Sequence, residues 1–188
     1  LSLQTPGHIE ILTGKAELGQ GILTALRLLA AEELDVDLAQ VNLISASTLR
    51  GPDEGVTSGS LSVQDSGGAI RHACAHLRGL ALQRAASQSG VPSDAISVHA
   101  GVLHAANGRA LGNYWQLLQN SDLDIEYDGQ YLPKQPHQRR LLGKSDNARV
   151  DLQDKVFGRA RFIHDLRWPD MRHGRVVRAP SITAKLSS

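Results

Sequence analysis

The chain is nearly devoid of cysteine: Cys74 is alone among 188 residues. An internal disulfide is therefore excluded, and so is a cysteine-ligated iron–sulfur cluster or zinc finger built by this chain alone. That cysteine usage is compatible with any compartment. Aromatic residues are scarce too, at 4%, so the core has to come from Leu, Ile, Val and Ala. No apolar run approaches the roughly 20 residues that cross a bilayer, and no transmembrane segment is expected. No secretory leader is visible at Leu1. Apolar residues make up 41% and charged residues 21%, a balance that predicts a globular chain of one or two small domains.

The formal net charge of +1 hides an asymmetry. Residues 1–138 hold 8 Lys and Arg against 14 Asp and Glu, whereas residues 139–188 hold 12 against 5. The change of sign predicts two structural units. The basic part lacks the interleaved aromatics on which bases stack, so nucleic acid is not an expected partner. A solvated face or a protein contact is the expected role of that charge.

The patterning predicts an α+β protein in which two main helices accompany the strands. Residues 8–12 alternate as a strand and end at Gly14. From Gly21 to Leu34 the apolar spacing becomes helical, with Ile22, Ala25, Leu26, Leu29, Ala30 and Leu34 on one stripe. Residues 41–45 read as a strand, and Pro52-Asp53-Glu54-Gly55 as a turn. A long helix is predicted from Ser62 or Asp65 to about Ser87, with Gly90 as its stop. Residues 96–99 and 102–105 form a predicted hairpin, residues 112–118 a short helix and residues 127–132 a strand. Two further strands are predicted at 157–162 and 174–179, with a turn at Pro169-Asp170.

Two loops that run into helices carry the chemistry. The first is Gly14-Lys15-Ala16-Glu17-Leu18-Gly19-Gln20-Gly21, and the second runs from Thr57 to Gly67 as TSGSLSVQDSG. The first turn of a helix has unpaired N–H groups and a partial positive charge, so each loop is a candidate anion site. A lone Gly-x-Gly is no more than a flexible strand-to-helix turn. Neither loop is a Walker loop or a complete dinucleotide fingerprint. Two such starts in one chain suggest one large anionic ligand held from two sides.

Together with Ala31-Glu32-Glu33-Leu34, the first loop resembles the molybdenum-cofactor-binding subunit of the xanthine oxidase family. The branch it is most similar to is that of the isoquinoline 1-oxidoreductase beta subunit. The second loop resembles that family's second cofactor loop. Residues 155–162, Asp165-Leu166 and residues 174–178 resemble the start of its α/β hammerhead domain. The resemblance implies a first part of a molybdopterin cofactor-binding domain over residues 1–133, a linker over 134–148 and the start of a hammerhead over 149–188. It implies molybdopterin cytosine dinucleotide as cofactor, contacted by Gly19, Gln20, Gly21, Gly59, Ser60, Leu61 and Ser62. The cofactor's own dithiolene holds the metal, so no metal ligand is expected from the chain.

The family's reaction, hydroxylation of an electron-poor heteroaromatic carbon or oxidation of an aldehyde with water as oxygen source, uses a glutamate in a late Gly-x-Gly-Glu motif. No such motif stands in these residues, so no catalytic residue is assigned. The resemblance further implies a [2Fe–2S] small subunit as electron acceptor, in some members with a cytochrome beyond it. A bacterial cytoplasmic or periplasmic setting fits. The chain reads as an N-terminal fragment of such a protein, expected to hold little cofactor by itself. Two alternatives stay open: a noncatalytic module that folds and binds a partner, and a generic phosphate- or nucleotide-binding domain. His72 and His76 stand at helical i, i+4 spacing without the glutamate of a zincin motif and are expected to be a non-ligating pair. Asp53 and Glu54 are expected to be a solvated turn, and Cys74 a core residue.

Overall fold

The computed structural model describes residues 1–119, 121–144, 148–159 and 162–185. It divides into two units, Leu1–Asp151 and Leu152–Ser188. The first unit is α+β. Strand β1 (Ser2–Thr5) pairs antiparallel with β2 (His8–Thr13). Helix α1 (Ile22–Leu34) then crosses over to β3 (Val41–Ser45), which lies parallel to β2 with Ile9 opposite Val41 and Thr13 opposite Ser45. A parallel neighbour demands such a crossover, and the apolar stripe of α1 supplies it. Helix α2 (Gly68–Ser89) follows. A second sheet, β4 (Ile96–His99), β5 (Val102–Ala105) and β6 (Ala110–Asn113), is an antiparallel meander. The short helix α3 (Tyr114–Leu118) closes it.

The core is aliphatic, as the composition requires. Ile9 and Ile11 of β2 meet Leu26, Ala30 and Leu34 of α1, Cys74, Leu77 and Ala81 of α2, and Leu103 of β5. Cys74 is fully buried and burial pushes its thiol up to about 12, so it behaves as a small apolar side chain. Tyr114, also buried, donates its hydroxyl to the Leu34 carbonyl at 2.8 Å and ties α3 to the end of α1.

Several expectations are corrected. Residues 2–5 form an additional strand, which exists through pairing with β2. The predicted long helix opens with a π-helical turn over Val63–Gly67, in which the Gly67 N–H reaches the Ser62 carbonyl at 3.1 Å. Residues 110–113, predicted in part as helix, are β6. Residues 127–132 are not a strand: their aromatics lie on α2 instead. The Tyr131 ring covers Gly79 so closely that a Cβ there would lie 2.2 Å from it, and its hydroxyl donates to Gln83 Oε1 at 2.9 Å. Tyr127 packs on His72 with ring centroids 4.8 Å apart.

In the second unit, helix α4 (Leu152–Val156) precedes a turn at Phe157-Gly158, and a 3₁₀ turn spans Ile163–Asp165. Residues 160–161 of the first predicted strand lie outside the described residues. The turn at Pro169-Asp170 is present, with the Met171 N–H on the Trp168 carbonyl at 3.2 Å. Residues 174–179 are in no strand among the described residues, and Val177 is 93% exposed. A strand needs a partner before its propensity counts.

The largest departure from pattern is at Glu32 and Glu33, 1% and 0% exposed at the end of α1. One Glu32 carboxylate gathers the N–H groups of Arg140, Leu141 and Leu142 at 2.6–2.9 Å, with Lys134 Nζ at 3.4 Å. Glu33 accepts from Arg71 Nε and the Lys134 N–H, both at 2.9 Å, and from Arg78 Nη1 at 3.4 Å. Lys134 Nζ also donates to the Glu32 carbonyl and to Asp35, each at 2.5 Å. Residues 134–142, expected to be a linker, are thereby fastened to α1.

Burial works to raise the Glu32 pKa. The amides of Leu142, Arg140 and Leu141, together with the Lys134 ammonium, outweigh it and hold the carboxyl below its ordinary value of 4.5. A carboxyl with a lowered folded pKa stabilises above the ordinary value, and that contribution is lost as pH falls through the folded one. Glu32→Ala leaves three amides and an ammonium without their acceptor. We expect a loss of about 3 kcal/mol or more in urea unfolding at neutral pH. Glu32→Gln should flatten the fall in stability between about pH 6 and pH 3 relative to the wild type. An unchanged urea midpoint in Glu32→Ala would contradict this account.

Candidate functional site

The first loop leaves the C-terminal end of β2, beside the parallel β3. This end of a parallel pair is where open α/β sheets hold ligands. The second loop starts far along the sequence and is brought to the same place by the stretch from Glu54 to Thr57. Glu54 Oε2 accepts from Thr13 Oγ1 and from the Gly14 N–H, both at 2.7 Å. Lys15, 4% exposed, donates Nζ to the Glu54 carbonyl at 2.6 Å and to the Val56 carbonyl at 3.2 Å. The Ala16 N–H donates to Thr57 Oγ1 at 2.9 Å, and Ser45 Oγ donates to the Lys15 carbonyl at 2.6 Å. The two motifs are zipped together residue by residue. Asp53 and Glu54 are thus not a mere solvated turn: Asp53 is exposed, but Glu54 is the buckle.

At the first loop, Gly19, Gln20 and the preceding Leu18 are exposed. The N–H groups that converge at the start of α1 are not free. Glu17 Oε1 accepts from Gly19 and Gly21 at 2.8 and 2.9 Å, and Oε2 accepts from Leu23 at 3.3 Å. Burial and the nearby Asp151 raise the Glu17 pKa, burial more strongly, but these three amides prevail and lower it overall. The Gln20 amide, expected to reach outward, closes its own loop: Nε2 donates to the Ala16 carbonyl at 2.9 Å and Oε1 accepts from the Leu18 N–H at 2.6 Å.

At the second loop, Gly59, Ser60 and Leu61 are exposed and Ser62 half-buried. Gly59 and Ser60 both take the left-handed conformation, φ +67° and +59°. No side chain caps the π turn that opens α2. Within the turn the Asp65 N–H donates to the Leu61 carbonyl at 2.8 Å, so the amides from there on are paired internally. The neighbouring Ser66 hydroxyl is buried and has no partner among the described residues.

Sequence reasoning missed Glu17, Lys15, Glu54 and Thr57 as site-building residues. The signal for the first two was their place inside the glycine motif, whereas the spacing of Glu54 from it was uninformative. His72 and His76 lie on the side of α2 covered by Tyr127 and Tyr131, and His76 Nδ1 stands 3.4 Å from Asp128. A cavity of about 860 Å³ lined by Leu3, Pro6, Val102, Trp115 and Leu118 opens at the other end of β2. Among the described residues no cluster of three His, Cys, Asp or Glu could hold a metal. No helix there is long and apolar enough to cross a membrane.

These features define an α+β domain in which two glycine loops adjoin at the end of a parallel strand pair. Residues 1–148 match the family described as the molybdopterin cofactor-binding domain, and the chain belongs to that family, within the molybdenum hydroxylases. It is 34% identical over 180 residues to a nicotinate dehydrogenase subunit of Pseudomonas putida, covering 96% of this chain and 15% of that protein. It is 26% identical over 186 residues to a membrane-bound, pyrroloquinoline-quinone aldehyde dehydrogenase of Gluconacetobacter polyoxogenes, covering 96% of this chain and 24% of that protein. A xanthine dehydrogenase of Blastobotrys adeninivorans is 38% identical over 71 residues, 38% of this chain and 5% of that protein. The chain thus spans less than a quarter of the length of these relatives.

The residues present fit an anionic cofactor. The second loop offers the exposed backbone of Gly59, Ser60 and Leu61 and the hydroxyls of Ser60 and Ser62. The first loop offers exposed glycine backbone, its converging N–H groups being taken by the Glu17 carboxylate. The closeness of the two loops rests on Gly14, where a Cβ would lie 2.5 Å from the Pro52 carbonyl oxygen. Gly14→Ala must push the two loops apart. We expect a loss of about 1–3 kcal/mol in urea unfolding, with amide shifts in NMR spectra centred on residues 52–57; shifts confined to residue 14 itself would refute the zipper.

Proposed function

We propose that this chain supplies one part of the cradle for a molybdopterin dinucleotide, in its cytosine form, within the large subunit of a molybdenum-dependent oxidoreductase. The observation that carries this reading is the zipper from Thr13 to Thr57, which sets two glycine loops side by side at the C-terminal end of a parallel strand pair. When bound, the cofactor brings the redox-active molybdenum. The chain's own residues bind and orient it. Gly59, Ser60, Leu61 and Ser62 receive a phosphate or pterin oxygen. Gly19, Gln20 and Gly21 form the opposite edge. In that edge the two glycines, without side chains, let the cofactor approach closely, while the Gln20 amide is committed to Ala16 and Leu18.

We further infer that residues 149–188 begin the hammerhead domain of the same large subunit. The reaction we assign to the whole protein is oxidation of a small heteroaromatic or aldehyde substrate with water as oxygen source. Electrons leave to a separate [2Fe–2S] subunit, and in some assemblies to a cytochrome. The match to a nicotinate dehydrogenase over 96% of this chain favours an N-heterocycle.

The test is metal and nucleotide analysis of the native protein made in a host that synthesises the cofactor. Molybdenum and cytidine monophosphate, released by acid, are each expected near one per large subunit. Absence of both would sink the assignment. The 188 residues alone are expected to hold less than about a tenth of that amount, because one part of a cradle gives up most of the multipoint binding energy.

A further inference from the structure

The stretch just past the family match runs back to the first loop. Arg149 Nη1 donates to the Gly19 carbonyl at 3.1 Å, a contact that spans 130 positions. Its Nη2 stands 3.7 Å from Glu17 Oε1, the carboxylate that caps α1. Asp151, 2% exposed, holds the guanidinium from behind, accepting from Nε at 3.0 Å and from Nη2 at 2.8 Å. A guanidinium stays charged in proteins, and the hydrogen bond to Asp151 raises the Arg149 pKa above its ordinary value. Next to it the Val150 N–H donates to Thr24 Oγ1 at 3.1 Å, in the first turn of α1. A Cβ on Gly21 would rest 3.5 Å from the guanidinium carbon.

We propose that Arg149, oriented by Asp151, is a positioning residue for the first loop: it fixes the Gly19 carbonyl and the Glu17 cap and so presets the surface from Gly19 to Gly21 that a dinucleotide meets. This rests on the reading of the loop as a cofactor edge. Preorganisation is the physical basis. A loop with two glycines at positive φ, Gly19 at +105° and Gly21 at +86°, loses much conformational freedom when it is ordered. If that ordering is done by the protein, ligand binding does not have to supply it. The guanidinium suits the task because its planar fork meets Asp151 with two N–H groups and still has one for Gly19. Among the described residues Arg149 bonds to the first loop and to Asp151, so its effect should be local.

Amide hydrogen exchange on the 188-residue chain tests this without any cofactor, so its outcome is independent of the metal analysis above. In Arg149→Ala, exchange at Gly19, Gly21 and Leu23 should be about tenfold faster, while the β4–β5 hairpin keeps its wild-type rates. Asp151→Asn should accelerate the same three amides, since it loosens the hold on the guanidinium. Arg149→Lys keeps a cation within reach of Gly19 and should regain part of the protection. Unchanged exchange at Gly19 and Gly21 in Arg149→Ala overturns the proposal. So does acceleration shared equally by the hairpin, which would mean general loosening, or a lysine variant with no recovery.

Discussion

Two buried glutamates at the end of α1 hold the first unit together. Glu32 and Glu33 are adjacent, fully removed from water, and negative. Such a pair is tolerable only if its lone pairs are filled, because desolvating a carboxylate costs several kcal/mol. Here they are filled from two directions. Helix α2 sends Arg71 and Arg78, and the stretch 134–142 sends Lys134 and three consecutive amides. The ion pairs cannot form unless α1, α2 and that stretch are all in place. The same arrangement therefore makes an otherwise irregular segment part of the fold.

The loops depend on a second polar framework at the opposite end of α1. Glu54, Lys15 and Thr57 join the loop after β2 to the stretch that leads into α2. Glu17 and Arg149 order the start of α1. Both frameworks use a carboxylate to collect backbone amides, and in both the amides, joined at Glu32 by the Lys134 ammonium, outweigh the effect of burial on the carboxyl. A chain with few aromatics and a small aliphatic core gains specificity from such contacts, since each has only one geometry in which all partners are satisfied. The second loop joins this framework through Thr57, while Gly59 and Ser60 remain exposed in the left-handed conformation and no side chain caps the turn that follows.

Regular elements with a strong period were legible in the sequence. The stripe Ile22, Leu26, Ala30, Leu34 and the stripe Ile70, Cys74, Leu77, Ala81 are the buried faces of α1 and α2. The hairpin at 96–105 follows its alternation. What failed was where polar side chains override propensity. Residues 127–132 read as a strand from Tyr and Leu, yet the two tyrosines are spent on Gly79, Gln83 and His72. Residues 134–142 read as a linker because nothing in a local window reveals that Glu32, about a hundred positions earlier, collects their amides. Gln20 looked like a ligand donor because a side-chain amide next to two glycines can turn either way, and only the folded loop shows it turning in.

By itself the sequence determined the α+β class, the two main helices, the strand–loop–helix–strand order of residues 8–45 and the kinship carried by the glycine motifs. These follow from period, from glycine placement and from local order along the chain. Tertiary structure alone decided that the motifs adjoin, through contacts of Glu54 with residues some forty positions away. It also decided that Glu17 rather than an outside anion caps α1, and that Arg149 reaches a loop 130 positions before it. The reason is that a charged side chain carries no mark of its partner in sequence: burial and distance, which fix whether it caps, clamps or binds, exist only once the chain has folded.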